Sequence, residues 1–211
     1  MKQLLIIGAR GWGREIYAMA QKSIGYNTEF IIKGFLDDKK SALDGMIGYP
    51  PIITSVENYE PQLNDVFICA MGDTKWKRYY AEMMLNKGGQ FISLIHNEAY
   101  IGQNTVLGLG CIVASKVSIS CDIKIGNFVT FQRLTDVGHD ARIGNYSHLG
   151  TKSFMGGYSE LGEESTIQTS AIVLPHIKIG NNCIVGAGAV VIRRVKDGQT
   201  VYGNPAKVLN I

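Results

Sequence analysis

From Ile101 onward the chain repeats every six residues. Advancing by six, it meets Ile101, Leu107, Val113, Ile119, Ile125, Phe131, Val137, Ile143, Leu149, Met155, Leu161, Ile167, Val173, Ile179, Val185 and Val191, every one large and apolar. Two residues before each stands an uncharged small or β-branched residue, among them Thr105, Cys111, Ser147, Ser165 and Cys183. A period of six fits no α-helix and suits short strands separated by turns. Side chains alternate along a strand, so positions i−2 and i share a face and fill one narrow core. Ten of these sixteen apolar residues are followed directly by glycine, which reads as backbone freedom at a corner. Three hexads make one coil of a triangular prism, so the run predicts about five coils in unbroken register.

The first ninety or so residues follow another pattern. Gln3–Ile7, apolar from Leu4 onward, reads as a buried strand, and Gly8-Ala9-Arg10-Gly11-Trp12-Gly13 follows it. Arg14 to about Ile24 reads as a helix, Glu29–Leu36 as a second strand ending in Asp37-Asp38, and Asp65–Met71 as a third closed by Gly72. Thr74–Lys87 reads as a helix capped by Asp73 or Thr74, and Phe91–Ile95 as a fourth strand. Alternating strands and helices predict a small parallel α/β sheet, a Rossmann-like half domain over 1–95, ahead of an all-β prism over 96–211 that ends in a tail. The glycine loop after the first strand suits either a phosphate at a helix N-terminus or tight turns alone. Its G-x-x-G-x-G spacing is not the dinucleotide fingerprint. Carboxyl ends of parallel strands would gather the loop, Asp37, Asp38 and Gly72 at one edge.

Composition narrows the function classes. A net charge of +3 without any Lys/Arg block argues against a nucleic-acid partner. No apolar run is long enough to span a bilayer, so membrane insertion is not expected. Cys69, Cys111, Cys121 and Cys183 stand far apart, without a CxxC pair or an export signal, which points to a reduced cytoplasmic chain. Cys111 and Cys183 occupy interior i−2 positions and read as buried small residues.

The order of features is specific: a GAxGxG loop, a GFLDD strand end, the hexad run, and Gly203-Asn204-Pro205-Ala206-Lys207 near the C-terminus. Over essentially the whole length it resembles the sialic acid O-acetyltransferase (NeuD-like) and bacillosamine-pathway N-acetyltransferase (PglD-like) family. The resemblance implies a left-handed parallel β-helix; general crossover rules would favour the right hand. It also implies a homotrimer, acetyl-CoA as co-substrate between neighbouring β-helices, no metal, and a nucleotide-sugar acceptor held by the α/β domain. Carried onto this chain, it makes His139 the general base, with Asp140 beside it. It assigns acetyl-CoA contacts to His148, Gly157, Thr169, Ala187 and Lys207, and acceptor contacts to Arg10, Gly11, Trp12, Asp37, Asp38 and Gly72. The implied reaction is N-acetylation of a 4-amino sugar in bacterial surface-glycan synthesis, with sugar O-acetylation and a non-catalytic binding role as alternatives. The chain departs from the family at Arg10 and Trp12, where Ser and His are usual, and between Gln132 and Gly138.

A histidine poised near neutral pH is the side chain suited to take a proton from an attacking amine or hydroxyl, and an adjacent carboxylate favours the imidazolium. Register places His139 at a turn and His148 on the outer face of a strand, half a coil away. The two should therefore sit on different sides of one prism and meet in one groove only across an oligomer interface. His176, two coils beyond Asp140, reads as surface, and His96 as a junction residue. His139 and His176 cannot converge on one zinc ion. Arg193, Arg194, Lys196 and Lys207 surround the C-terminal turn, where phosphates of coenzyme A would be matched.

Overall fold

The structure is a computed structural model that describes residues 1–209, and the chain divides into two compact units, Met1–Asn97 and Glu98–Ile211. The first unit contains β1 (Lys2–Ile7), α1 (Gly11–Ala20), β2 (Phe30–Leu36), a short 3-10 turn Lys40–Leu43, β3 (Ile52–Thr54), β4 (Asp65–Cys69), α2 (Thr74–Asn86) and β5 (Gln90–Phe91). The sheet is parallel throughout, in the order β3-β2-β1-β4-β5. β1 lies at its centre and Leu4, Leu5, Ile6 and Ile7 are fully buried, which is why that run is continuously apolar rather than alternating. The chain leaves β1 toward β2 on one side and returns to β4 on the other. The loops after β1, β2 and β4 therefore meet at one carboxyl edge.

Several boundaries differ from the sequence reading. α1 starts at Gly11, not Arg14, because Gly13 packs directly on the Gly8 carbonyl and leaves no room for a β-carbon. It stops at Ala20, short of Ile24, where Lys22 N–H bonds the Met19 carbonyl (2.9 Å) and tightens the last turn. β3 was not foreseen behind Pro50 and Pro51. It pairs with β2 because Gly34 allows Pro51 to approach, where a β-carbon would stand 2.7 Å from the Pro51 oxygen. The expected strand Phe91–Ile95 is two pieces, Gln90–Phe91 and Leu94–Ile95. The cap of α2 is Asp73, whose carboxylate accepts from Lys75 N (2.9 Å) and Trp76 N (3.0 Å).

The second unit is a left-handed parallel β-helix of two-residue strands on three faces. One sheet runs from Tyr100–Ile101 through Asp136–Val137 to Val190–Val191. A second runs from Val106–Leu107 through Arg142–Ile143 to Lys178–Ile179. The third runs from Ile112–Val113 through His148–Leu149 to Ile184–Val185 and is extended by Thr200–Tyr202 and Lys207–Val208. Strands pair with the residues eighteen further on, as in Val137↔Met155 and Leu149↔Ile167, until the last coil, where Val185 pairs with Val201. Interior i−2 hydroxyls and thiols donate to carbonyls fifteen residues on: Thr105 to Ser120 (2.7 Å), Ser147 to Gly162 (2.7 Å), Ser165 to Gly180 (2.7 Å) and Cys111 to Gly126 (3.3 Å). A short donor at an i−2 position can therefore be satisfied inside the prism by the next coil.

The glycines after the apolar positions serve a different purpose from the one expected. The left-handed residue of each corner comes three positions after the apolar one, as at Asn104, Asp122, Asp140, Tyr158 and His176. The glycines give space instead. At Gly138, Gly144 and Gly150 a β-carbon would stand 2.5, 2.6 and 2.8 Å from a backbone nitrogen of the next coil. Among the described residues, no helix is long and apolar enough to cross a membrane.

One buried polar cluster stands out in the first unit. Asp65 accepts hydrogen bonds from Lys33 Nζ (2.8 Å) and the Tyr59 hydroxyl (2.6 Å), and Lys33 also reaches Tyr59 (2.7 Å). Burial pushes the Asp65 carboxyl up, but its bonds to Lys33, Tyr59 and Gln62 outweigh this and hold it below the usual carboxylate range. Burial likewise pushes Lys33 down, and its bonds to Asp65 and Tyr59 leave it raised. Stability from Asp65 is therefore present above the unfolded carboxyl pKa and is lost as pH falls through the lower folded value. Stability from Lys33 is present below the ordinary lysine range and lost only in strong alkali. Asp65→Asn should lower the unfolding free energy by about 2 kcal/mol at neutral pH. In urea titrations the gap from wild type should narrow below about pH 4, whereas a gap independent of pH would remove this assignment.

Candidate functional site

In the first unit, the loops at the carboxyl edge enclose a cleft of about 370 Å³. Arg10, Trp12, Asp37 and Asp38, all singled out from the sequence, line it. Gly11 and Gly72 do not. Asp37 is buried, and its carboxylate joins two loops, accepting from Ala9 N (2.8 Å) and Lys39 N (2.8 Å). Asp38 accepts from Val56 N (3.3 Å) and from the Tyr80 hydroxyl (2.6 Å). Burial and the neighbouring Asp38 carboxylate push the Tyr80 phenol well above its usual value, so it stays a donor. The Trp12 indole nitrogen is buried in this wall with no protein partner.

Sequence reasoning missed the wall that α2 contributes. Asp73, Trp76 and Tyr80 line the cleft, as do Val56 and Met71. Trp76 lies against Tyr80 with ring centroids 5.9 Å apart and planes at 29°, and half of its surface is exposed. The signal was present: Trp76, Tyr79 and Tyr80 stand at i, i+3 and i+4 on the expected helix and so share a face.

In the second unit, His139 and Asp140 form the corner between the first and second sheets. His139 Nδ1 lies 2.9 Å from Asp140 Oδ2, with both side chains partly exposed. With its proton on Nδ1 toward the carboxylate, the neutral ring presents Nε2 as an acceptor. Gly157 lies one coil on, and a β-carbon there would stand 3.0 Å from His139 Nε2. A β-carbon at Gly138 would stand 2.5 Å from the backbone nitrogen of Gly157, so glycine gives the clearance between these two coils. Gln132, another departure, bonds the next coil: its Oε1 accepts from Thr151 N (3.1 Å) and Thr151 Oγ1 (3.0 Å).

The remaining residues are only partly gathered. Thr169 and Ala187 are exposed at the corner between the third and first sheets, one coil apart. They and the pair His139 and Gly157 thus flank the same sheet, whose outward residues include Asp136, Phe154 and Ile172. His148 lies on the third sheet in register between Thr130 and Thr166. It is buried, with 7% of its surface exposed, rather than open on an outer face. Lys207 is exposed on the last strand. Of the C-terminal cations, Arg194 lines a separate groove of about 540 Å³ over the second sheet, beside Lys124, Arg142 and the Glu160–Lys178 ion pair (2.8 Å). Among the described residues no group of three or more His, Cys, Asp or Glu side chains is arranged to hold a metal ion.

A family model described as the PglD N-terminal domain matches residues 3–84, and one described as bacterial transferase hexapeptide (six repeats) matches residues 158–193. The chain is 29% identical over 117 residues to UDP-N-acetylbacillosamine N-acetyltransferase of Bacillus subtilis (strain 168). That match covers 54% of this chain and 51% of the relative, so the chain spans about half the length of that curated relative. Likeness to solved structures is full-length. PerB from Caulobacter crescentus, solved in complex with CoA and GDP-perosamine, has a TM-score of 0.89 at 26% identity, over 100% of this chain and 98% of that one. The acetyltransferase domain of PglB from Neisseria gonorrhoeae FA1090 has a TM-score of 0.89 at 28% identity, over 99% and 100%. The first unit thus carries a PglD N-terminal domain and the second carries transferase hexapeptide repeats, in an architecture shared end to end with PerB and the PglB acetyltransferase domain.

Proposed function

We propose that this protein transfers an acetyl group from acetyl-CoA to the amine of a nucleotide-linked amino sugar, by direct transfer with His139 as general base. The observation that carries the reading is the His139–Asp140 pair, 2.9 Å apart on an exposed corner. Thiolate is a good leaving group, so no acyl-enzyme is required. The amine attacks the thioester carbonyl, and His139 Nε2 takes the proton it loses. Asp140 stabilises the imidazolium through Nδ1–H. The C–S bond then breaks, and the proton passes to the departing thiolate, giving an amide and free coenzyme A. The complexes of PerB with CoA and GDP-perosamine, and the N-acetyltransferase name of the Bacillus relative, support amine over hydroxyl.

The first-unit cleft takes the nucleotide. The phosphates lie by Arg10 and the start of α1, where backbone N–H groups favour an anion. Asp38 and Asp73 face the donor-rich nucleoside, and the open face of Trp76 stacks on the base. Acetyl-CoA runs along the sheet between the His139–Gly157 corner and the Thr169–Ala187 corner, with Lys207 toward its phosphates. His148, on another face of the same prism, reaches that groove from a second copy in a homotrimer. The pathway is bacterial surface-glycan synthesis in the cytoplasm.

Three outcomes test this. Thiol release from acetyl-CoA should appear with one or more nucleotide amino sugars and fall at least about a hundredfold in His139→Ala; turnover that survives the substitution removes His139 as the base. Mixing His139→Ala with His148→Ala chains should restore part of the activity absent from either alone, and mixtures as inactive as their parents would place both histidines in one-chain sites. Trp76→Ala should raise KM for the nucleotide sugar about tenfold with KM for acetyl-CoA unchanged; an unaltered nucleotide-sugar KM would move the base off this wall.

A further inference from the structure

We propose that Tyr158 is a positioning residue for His139, and that His176 acts through Tyr158, so that a column of three rings fixes the base. The proposal rests on the reading of His139 just given. Tyr158 lies one coil beyond Asp140 and His176 one coil beyond Tyr158, in equivalent corner positions. The Tyr158 and His139 rings meet in a T-shaped contact, with centroids 5.1 Å apart and planes at 89°. His176 lies flat on Tyr158, with centroids 5.0 Å apart and planes at 3°. Backbone bonds hold the column in register, from Tyr158 N to the His139 carbonyl (2.9 Å) and from His176 N to the Gly157 carbonyl (2.9 Å).

Both residues sit where bulky side chains are disfavoured. Tyr158 has φ +56° and His176 φ +62°, a region that suits glycine and asparagine. Aromatic rings at consecutive corners recover part of that cost by stacking, and the chain does this elsewhere. Phe128 and Tyr146 stack with centroids 5.1 Å apart and planes at 1°, at the corner between the second and third sheets. That second stack stands at a corner without His139 and serves as an internal control for the structural part of the effect. The first differs because its end ring packs on a half-exposed imidazole. Asp140 fixes that imidazole at Nδ1, but one hydrogen bond leaves the ring free to swing about it. The perpendicular contact with Tyr158 removes this freedom, and His176 holds the plane of Tyr158. Orientation of a base to within a fraction of an ångström carries a large share of its rate effect.

The test compares Tyr158→Asn, Tyr158→Phe, His176→Asn, His176→Phe, Tyr146→Asn and His139→Ala in the full chain, with thermal midpoints to establish folding. Asparagine suits the left-handed corner, so Tyr158→Asn removes the ring without straining the backbone. Its kcat should fall about ten- to a hundredfold, with both KM values within about twofold of wild type. Tyr158→Phe should retain kcat, because the ring and not the hydroxyl acts. His176→Asn should show a smaller loss that His176→Phe restores, and Tyr146→Asn should leave kcat unchanged. Nitrogen NMR of the His139 imidazole should show one fixed tautomer in wild type and exchange between tautomers in Tyr158→Asn. Wild-type kcat in folded Tyr158→Asn, a loss confined to KM, or an equal loss in Tyr158→Phe overturns the proposal. Full turnover in His139→Ala overturns the base reading instead, and the NMR comparison then still decides whether Tyr158 orients the ring.

Discussion

Each coil of the β-helix lies so close to the next that a β-carbon at Gly138 would stand 2.5 Å from the Gly157 nitrogen, and the rest of the second unit follows from that approach. Eighteen residues must return the chain to its starting point with no net offset. The interior i and i−2 side chains fill the prism, glycine clears the corner, and a left-handed residue completes each turn. Several i−2 hydroxyls and thiols donate across coils, so the narrow core tolerates serine where another fold would require an apolar residue. Outward residues at equivalent positions are therefore stacked in columns. A column can concentrate function, because whatever stands at a corner is presented beside its neighbours one coil above and below.

The His139 corner shows this at work. Asp122, Asp140, Tyr158 and His176 are successive left-handed residues of one column, and His139 projects beside them. The carboxylate that orients the ring comes from the next residue in sequence, whereas the ring that packs on it comes from the next coil. Gly157 keeps the space by Nε2 open. A corner built this way is rigid at the backbone and leaves the imidazole half exposed.

The first unit reaches its site by a different route. Parallel strands bring three loops to one edge, and a buried carboxylate, Asp37, connects two of them through backbone N–H groups. The cleft thus combines a helix N-terminus and Arg10 on one side with Asp38, Asp73 and two aromatic rings on the other. That polarity suits a ligand with an anionic end and a flat, donor-rich end.

The coil architecture of the second unit was legible in the sequence. Sixteen apolar positions in unbroken sixfold register call for a prism of stacked coils, though not for its hand, and that register also put His139 and His148 on different faces. The sequence likewise determined the central strand of the first unit and the gathering of the Arg10, Asp37 and Asp38 loops, since continuous apolar strands alternating with helices force that edge. What it could not reveal depends on contacts between residues far apart in the chain. β3 exists because Gly34 admits Pro51, α1 begins early because Gly13 lies on Gly8, and the purpose of the corner glycines is clearance from the next coil rather than a positive φ. The α2 wall of the cleft, the burial of His148 and the packing of Tyr158 on His139 were also decided only by tertiary structure. Periodicity specifies which face a residue occupies, but the distance between two side chains depends on how closely the backbones that carry them approach.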